Sequence, residues 1–249
     1  MGAVVFLFLA GLLIGSFLTV VAHRVPRGES VVGGRSLCTT CGAQIAAYDN
    51  VPVFSWIALR GRARCCGEPI SPRYPITELA TALLFAAVAL AFHDDPAELA
   101  LGLVFVTVLV AITITDLERR IIPNKVLLVG AVAALAIAAA TDPSSLPERA
   151  IAALAAGGLL FAAALAYPRG MGLGDVKLAA TMGLFLGRDV GPAMLIALLA
   201  GSLVGLAMIA RHGAAARKRA IPFGPFLALG GVVALFAGEQ LIDWYLGSF

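Results

Sequence analysis

At 249 residues, 60% hydrophobic and only 13% charged, with a mean hydropathy of +0.95, the chain lies far from the roughly 25% charged residues of a soluble domain. That composition excludes a water-soluble enzyme and a disordered binding segment, and leaves a polytopic membrane protein. The net charge of +3 hides a strongly basic face, but nothing aromatic is interleaved with it, so no nucleic-acid partner is expected.

Apolar runs near the ~20 residues that a helical span needs cover 3–21, 76–92, 97–115, 126–140, 150–167, 176–187, 190–210 and 221–237, with the fourth and sixth short. The expected fold is all-α, about eight transmembrane helices with a small cysteine-containing loop between the first two. Eight spans place 16 of the 18 Lys and Arg residues on one side and leave only Arg149 and Arg188 on the other. The positive-inside rule assigns the basic side to the cytoplasm and puts both termini outside. The expected organisation is 1–22 as the first transmembrane helix, 23–75 as a cytoplasmic, zinc-binding loop and 76–249 as a seven-helix membrane core. The first run has no basic leader region and no small-residue cleavage site, so it reads as an uncleaved span.

Within the first span, Gly11 and Gly15 form a small-xxx-small pattern that lets helices touch closely. The following loop holds all four cysteines: Cys38-Thr39-Thr40-Cys41-Gly42 and Cys65-Cys66-Gly67. A Cys-x-x-Cys-Gly turn suits a tetrahedral zinc ion, and about fifty residues build too small a core to stand alone, so a metal staple makes physical sense. A redox dithiol or unpaired thiols are the competing readings, and cytoplasmic placement argues against a permanent disulfide. Cys38, Cys41 and Cys66 are the expected ligands. Cys65 is adjacent to Cys66, and alternate side chains of an extended segment point apart, so it is expected to serve only as a strained or substitute fourth ligand. His23 is read as an interfacial residue.

Glu78 opens the second span, either as a first-turn acid favoured by the helix dipole or as a supporting partner of an active site. Asp116 closes the third span at the inner boundary, where the dipole is unfavourable to an acid; a carboxylate at such a place reads as functional. Glu118 competes for that role, with Arg119 and Arg120 at hand to neutralise it. The fourth and fifth spans carry no readable chemistry. After them comes Gly170-Met171-Gly172-Leu173-Gly174-Asp175-Val176-Lys177, whose glycines allow close backbone approach. Asp175 then sits at a helix N-terminus. The run after it is only about 18 Å long, so either Arg188 and Asp189 dip inward or Asp175 lies below the lipid surface. The last span opens with Ile221-Pro222-Phe223-Gly224-Pro225-Phe226, a broken entry that suits a cavity lining.

These motifs occur in an order that resembles the type IV prepilin peptidases, GxGD membrane aspartyl proteases. The resemblance runs nearly end to end. It is carried by Gly15-Ser16-Phe17 with His23-Arg24-Val25-Pro26, Asp49 to Trp56 beside the cysteines, Ser71-Pro72-Arg73-Tyr74-Pro75, Asp116 with Ile122-Pro123-Asn124, Gly172-Leu173-Gly174-Asp175-Val176-Lys177, and Pro222 to Phe226.

It implies a bacterial inner-membrane endopeptidase that removes the short basic leader from prepilins or pseudopilins of type IV pili and protein secretion systems, with Asp116 and Asp175 as the catalytic pair. Gly172, Gly174 and Lys177 would form the active-site loop, with Glu78 and Glu118 in supporting positions. Family members often also methylate the new N-terminus with S-adenosylmethionine. The family's loop usually carries two Cys-x-x-Cys pairs; here Ala63 stands where the second pair should begin, and Cys65 where a non-cysteine is usual. Two carboxyls sharing one site cannot both ionise readily, so one keeps a proton to polarise the scissile carbonyl while the other activates water. The competing functions are a GxGD protease for other membrane helices, and a non-proteolytic transporter or scaffold with Asp116, Asp175 and Glu78 as an ion path. Glu29, Asp49, Glu68 and Glu118 are candidate contacts for the basic leader.

Overall fold

The structure, a computed structural model, describes residues 1–31, 36–167, 171–213 and 221–247. Arg35, Arg169, Gly170, Arg217, Lys218 and Arg219, used above for topology and for the glycine loop, lie outside the described residues. The chain divides into two compact units, Met1–Asp94 and Asp95–Phe249.

The first unit holds α1 (Gly2–Arg24), the short α2 (Phe54–Ala58) and α3 (Arg73–Ala91). Gly11 and Gly15 lie one turn apart on the same face of α1. A Cβ at Gly11 would come within 2.6 Å of the Ala82 Cα, and one at Gly15 within 2.7 Å of the Glu78 Cα. The two glycines therefore set the α1–α3 distance, and α3 answers with Glu78, Ala82, Phe85 and Ala89 buried at helical spacing. Below the helices, the loop is pinned by Trp56, whose Nε1 donates to the Ile70 carbonyl at 3.0 Å and whose ring lies against Gly61, at a φ of +69°. Arg64 grips Asp49 through Nε and Nη2, both at 2.9 Å. That guanidinium holds the Asp49 carboxyl below its ordinary range and takes it out of the set expected to meet a basic leader.

The second unit holds α4 (Pro96–Arg119), α5 (Asn124–Thr141), α6 (Leu146–Ala166), α7 (Leu173–Leu186), α8 (Val190–His212) and α9 (Gly224–Leu246). Asp95 caps α4, accepting from the Ala97 and Glu98 amides at 2.9 and 3.1 Å, with Pro96 in the first turn. From α4, Phe105, Leu109 and Ile112 are fully buried, and Phe105 stacks on Phe185 of α7 with centroids 4.9 Å apart. α6 and α7 meet through Gly183, where a Cβ would lie 2.5 Å from the Ala153 backbone.

Among the described residues, seven segments are long and apolar enough to cross a membrane. One of them, Leu173–His212, contains two helices. α7 ends at the 3-10 turn Gly187–Asp189, where Arg149 Nη1 donates to the carbonyls of Leu184 and Phe185 at 3.1 and 2.6 Å and satisfies the open C-terminus. α8 then returns, and its Gly201 reaches Phe223 at the start of α9. The expected all-α membrane fold with about eight long helices therefore stands. α4 runs on to Arg119, so Asp116 is enclosed within a helix, and α3 packs with α1 inside the first unit.

Candidate active site

Asp116 lies one turn before the end of α4, at 5% exposure. Its Oδ2 accepts the N–H of Gly224 at 2.8 Å. Gly224 is the first residue of α9, so its amide is one of the donors that a helix start leaves without an internal partner. A Cβ at Gly224 would lie 2.8 Å from that same carboxylate oxygen, so only glycine lets the backbone come this close. The broken entry of the last span stood out in the sequence; the hydrogen bond from it to Asp116 did not.

Asp175 stands in the first turn of α7, half-buried, where its Oδ2 accepts the Gly172 N–H at 3.3 Å. That bond caps the helix with the acid itself, as the dipole favours. Asp116 and Asp175 thus stand at the end of α4 and the start of α7, two helices that are in contact. Two further contacts hold the ends of α4 and α7 together. Gly174 lies against Ile122, which a Cβ would approach to 3.0 Å, and Lys177 Nζ donates to Asn124 Oδ1 at 3.0 Å. Beside that pair, an open cleft of about 400 Å³ runs between α5 and α7, lined by Lys125, Leu128, Ala131 and Thr181 among others.

Of the remaining candidates, Glu118 is exposed on the last turn of α4, on a different face from Asp116. Glu78 belongs to the first unit, where it is 7% exposed and accepts the Val53 N–H at 2.7 Å. Val53 has a φ of +61°, a strained conformation for a β-branched residue. Glu78 is thus a buried anchor for the strained turn before α2, a role that a first-turn acid did not suggest.

The four cysteine sulfurs lie within 4.8 Å of one another. Cys38 and Cys66 are 3.7 Å apart, Cys41 and Cys65 3.3 Å, and Cys65 and Cys66 3.9 Å. Tetrahedral zinc with bonds of about 2.3 Å needs sulfurs roughly 3.8 Å apart, so the set fits a metal ion such as zinc. The amides of Cys41 and Thr40 bring the Cys38 thiol down to about 6, which favours the thiolate that a metal binds. The argument against Cys65 assumed an extended segment. Residues 64–66 form a turn, in which neighbouring side chains converge, and the Cys65 sulfur is placed as well as the other three.

Residues 9–92 match the Bacterial Peptidase A24 N-terminal domain, and residues 103–210 match the Type IV leader peptidase family. The gap between the two matches contains the boundary at Asp94 and Asp95. Among curated proteins, the chain is 36% identical to a prepilin leader peptidase/N-methyltransferase of Aeromonas hydrophila, over 97% of this chain and 93% of the relative. Proteins of the same name are 33% identical in Bacillus subtilis, covering 96% of each chain, and 39% identical in Myxococcus xanthus, over 85% of this chain and 64% of the relative. No solved structure matches.

Proposed function

Since the chain belongs to the type IV leader peptidase family, we propose that it removes the basic leader from prepilins or pseudopilins by aspartyl chemistry at the cytoplasmic face of the bacterial inner membrane. The observation that carries this reading is the enclosed Asp116, met by an amide that only a glycine could bring so near, on a helix whose end is tied to the first turn of α7, where Asp175 stands, through Gly174 against Ile122 and Lys177 on Asn124.

In each aspartate a backbone N–H takes Oδ2, and Oδ1 is the oxygen left to face the reaction. One carboxylate draws a proton from the attacking water while the other, protonated, donates to the carbonyl oxygen of the scissile peptide. The pair then returns a proton to the leaving amine, so titration belongs to the pair and not to either member. The amides of Gly224 and Gly172 hold both acids in place throughout, and the Lys177–Asn124 bond keeps the first turn of α7 against the start of α5.

The relatives' names include N-methyltransferase. The same chain would then methylate the exposed N-terminus, with S-adenosylmethionine as a second substrate. The cysteine loop would hold structural zinc, which supplies a cross-link between its two turns.

Purified protein incubated with a prepilin and with labelled methyl donor tests both activities together. Asp116→Asn and Asp175→Asn should each abolish leader cleavage while the protein remains inserted and folded. Near-normal turnover in either variant would overturn the assignment of the pair, and ion uptake without any peptide cleavage by the wild type would favour a transporter.

A further inference from the structure

The cysteine loop contains two turns with one hydrogen-bond pattern. In the first, Cys38 N–H donates to the Ala43 carbonyl at 2.8 Å and Gly42 N–H to the Cys38 carbonyl at 2.9 Å. Leu37 and Gln44 close it as an antiparallel bridge, and Gly42 has a φ of +71°. In the second, Ala63 N–H donates to the Glu68 carbonyl at 2.8 Å and Gly67 N–H to the Ala63 carbonyl at 2.7 Å. Arg62 and Pro69 form the bridge, and Gly67 has a φ of +72°. Matched residue for residue, Ala63 stands at the place of Cys38, Cys66 at that of Cys41, and Cys65 at that of Thr40.

The second turn therefore has the shape of a two-sulfur knuckle with a methyl group in its first ligand position. We infer that Cys65 is a relocated ligand, which supplies the fourth sulfur to a metal ion from the position next to Cys66 in place of Ala63. Its sulfur, 3.3 Å from Cys41 and 3.9 Å from Cys66, occupies the corner of the tetrahedron that Ala63 leaves empty.

The relocation has a cost in support. Cys38 is buried, and the amides of Thr40 and Cys41 turn toward its sulfur. In the second turn the corresponding amides, those of Cys65 and Cys66, surround a position without a sulfur. Cys65 is exposed, and the neighbours that meet its sulfur are the other three cysteines. It is the ligand with the least help from the backbone, and the first to be released when the ion exchanges.

The inference rests on the loop's holding a metal, and the experiment separates the two. Full-length protein in detergent is loaded with zinc, its metal content is measured, and release to a chromophoric chelator is timed; cobalt(II) loading reports the number of thiolates through its charge-transfer band. Wild type should carry one ion per chain with a four-thiolate spectrum. Cys65→Ser should release zinc more than the roughly 10- to 100-fold faster expected from loss of a mere outer-shell partner, with a three-thiolate cobalt spectrum. Ala63→Cys combined with Cys65→Ser should bring both readouts back to within a few-fold of wild type, which a merely misfolded loop would not do. Wild-type release rates in Cys65→Ser, or a double variant no better than the single one, would overturn the relocation. A wild type that takes up neither metal would overturn the metal reading beneath it.

Discussion

Gly224 is where a single methyl group decides the state of the site. Its N–H donates to Asp116 at 2.8 Å, and a Cβ would press on that same carboxylate. Gly224→Ala should therefore displace Asp116 by several tenths of an ångström and lower kcat of leader cleavage by about 10-fold or more, short of the ~100-fold that a full 1 Å misplacement at a reacting centre can cost. Thermal unfolding should move little; turnover within a few-fold of wild type would mean that the Asp116–Gly224 contact does not position the reaction. The sequence singles out both aspartates because each interrupts the edge of an apolar run, where an acid is expensive. The amide that serves Asp116 was not, since no local pattern records that the start of α9 meets the end of α4. The partners of Glu78 and Cys65 were not legible for a related reason: they depend on the turns at Val53 and at residues 64–66, whose backbone does not follow from residue type.

Among the helices, close packing is set by glycine faces. The Gly11–Gly15 pair on α1 was legible as a contact stripe, and it does set the approach of α3. Gly183 on α7 carried no such signal, yet it is the tightest point against α6, with backbone atoms of Ala152 and Ala153 within 2.6 Å of where a Cβ would stand. Backbone cannot step aside as a flexible side chain can. Gly183→Ala should part α6 from α7 and destabilise the protein by about 1–3 kcal/mol, the usual range for overpacking, read as a lower unfolding temperature in detergent. Gly158→Ala, on the same helix pair but with no neighbour within 4 Å, is the control and should leave stability unchanged. Equal effects of the two would show that the seam does not limit packing. The division of Leu173–His212 into two helices was legible, since the apolar runs 176–187 and 190–210 part at Arg188 and Asp189; that Arg149 and Glu148 hold the turn between them from far along the chain was not.

For the whole molecule, the distribution of charge carries the orientation. Sixteen of 18 basic residues fall on one side of an eight-helix arrangement, so a C-terminal fusion to alkaline phosphatase should be active and one to a cytoplasmic fluorescent protein dark. Fusions in the 119–125 connection, between α4 and α5, should behave the opposite way. A bright C-terminal fluorescent fusion would reverse the topology and with it the face at which cleavage is placed. α7 is the shortest of the long helices: its 14 residues rise about 21 Å, well short of a hydrocarbon core near 30 Å. From Leu178 to Leu186 every residue of it is buried or half-buried, so its neighbours screen it and the deficit in length is met by protein and not by lipid. A helix enclosed in this way can begin below the level of the longer spans around it, with Asp175 in its first turn.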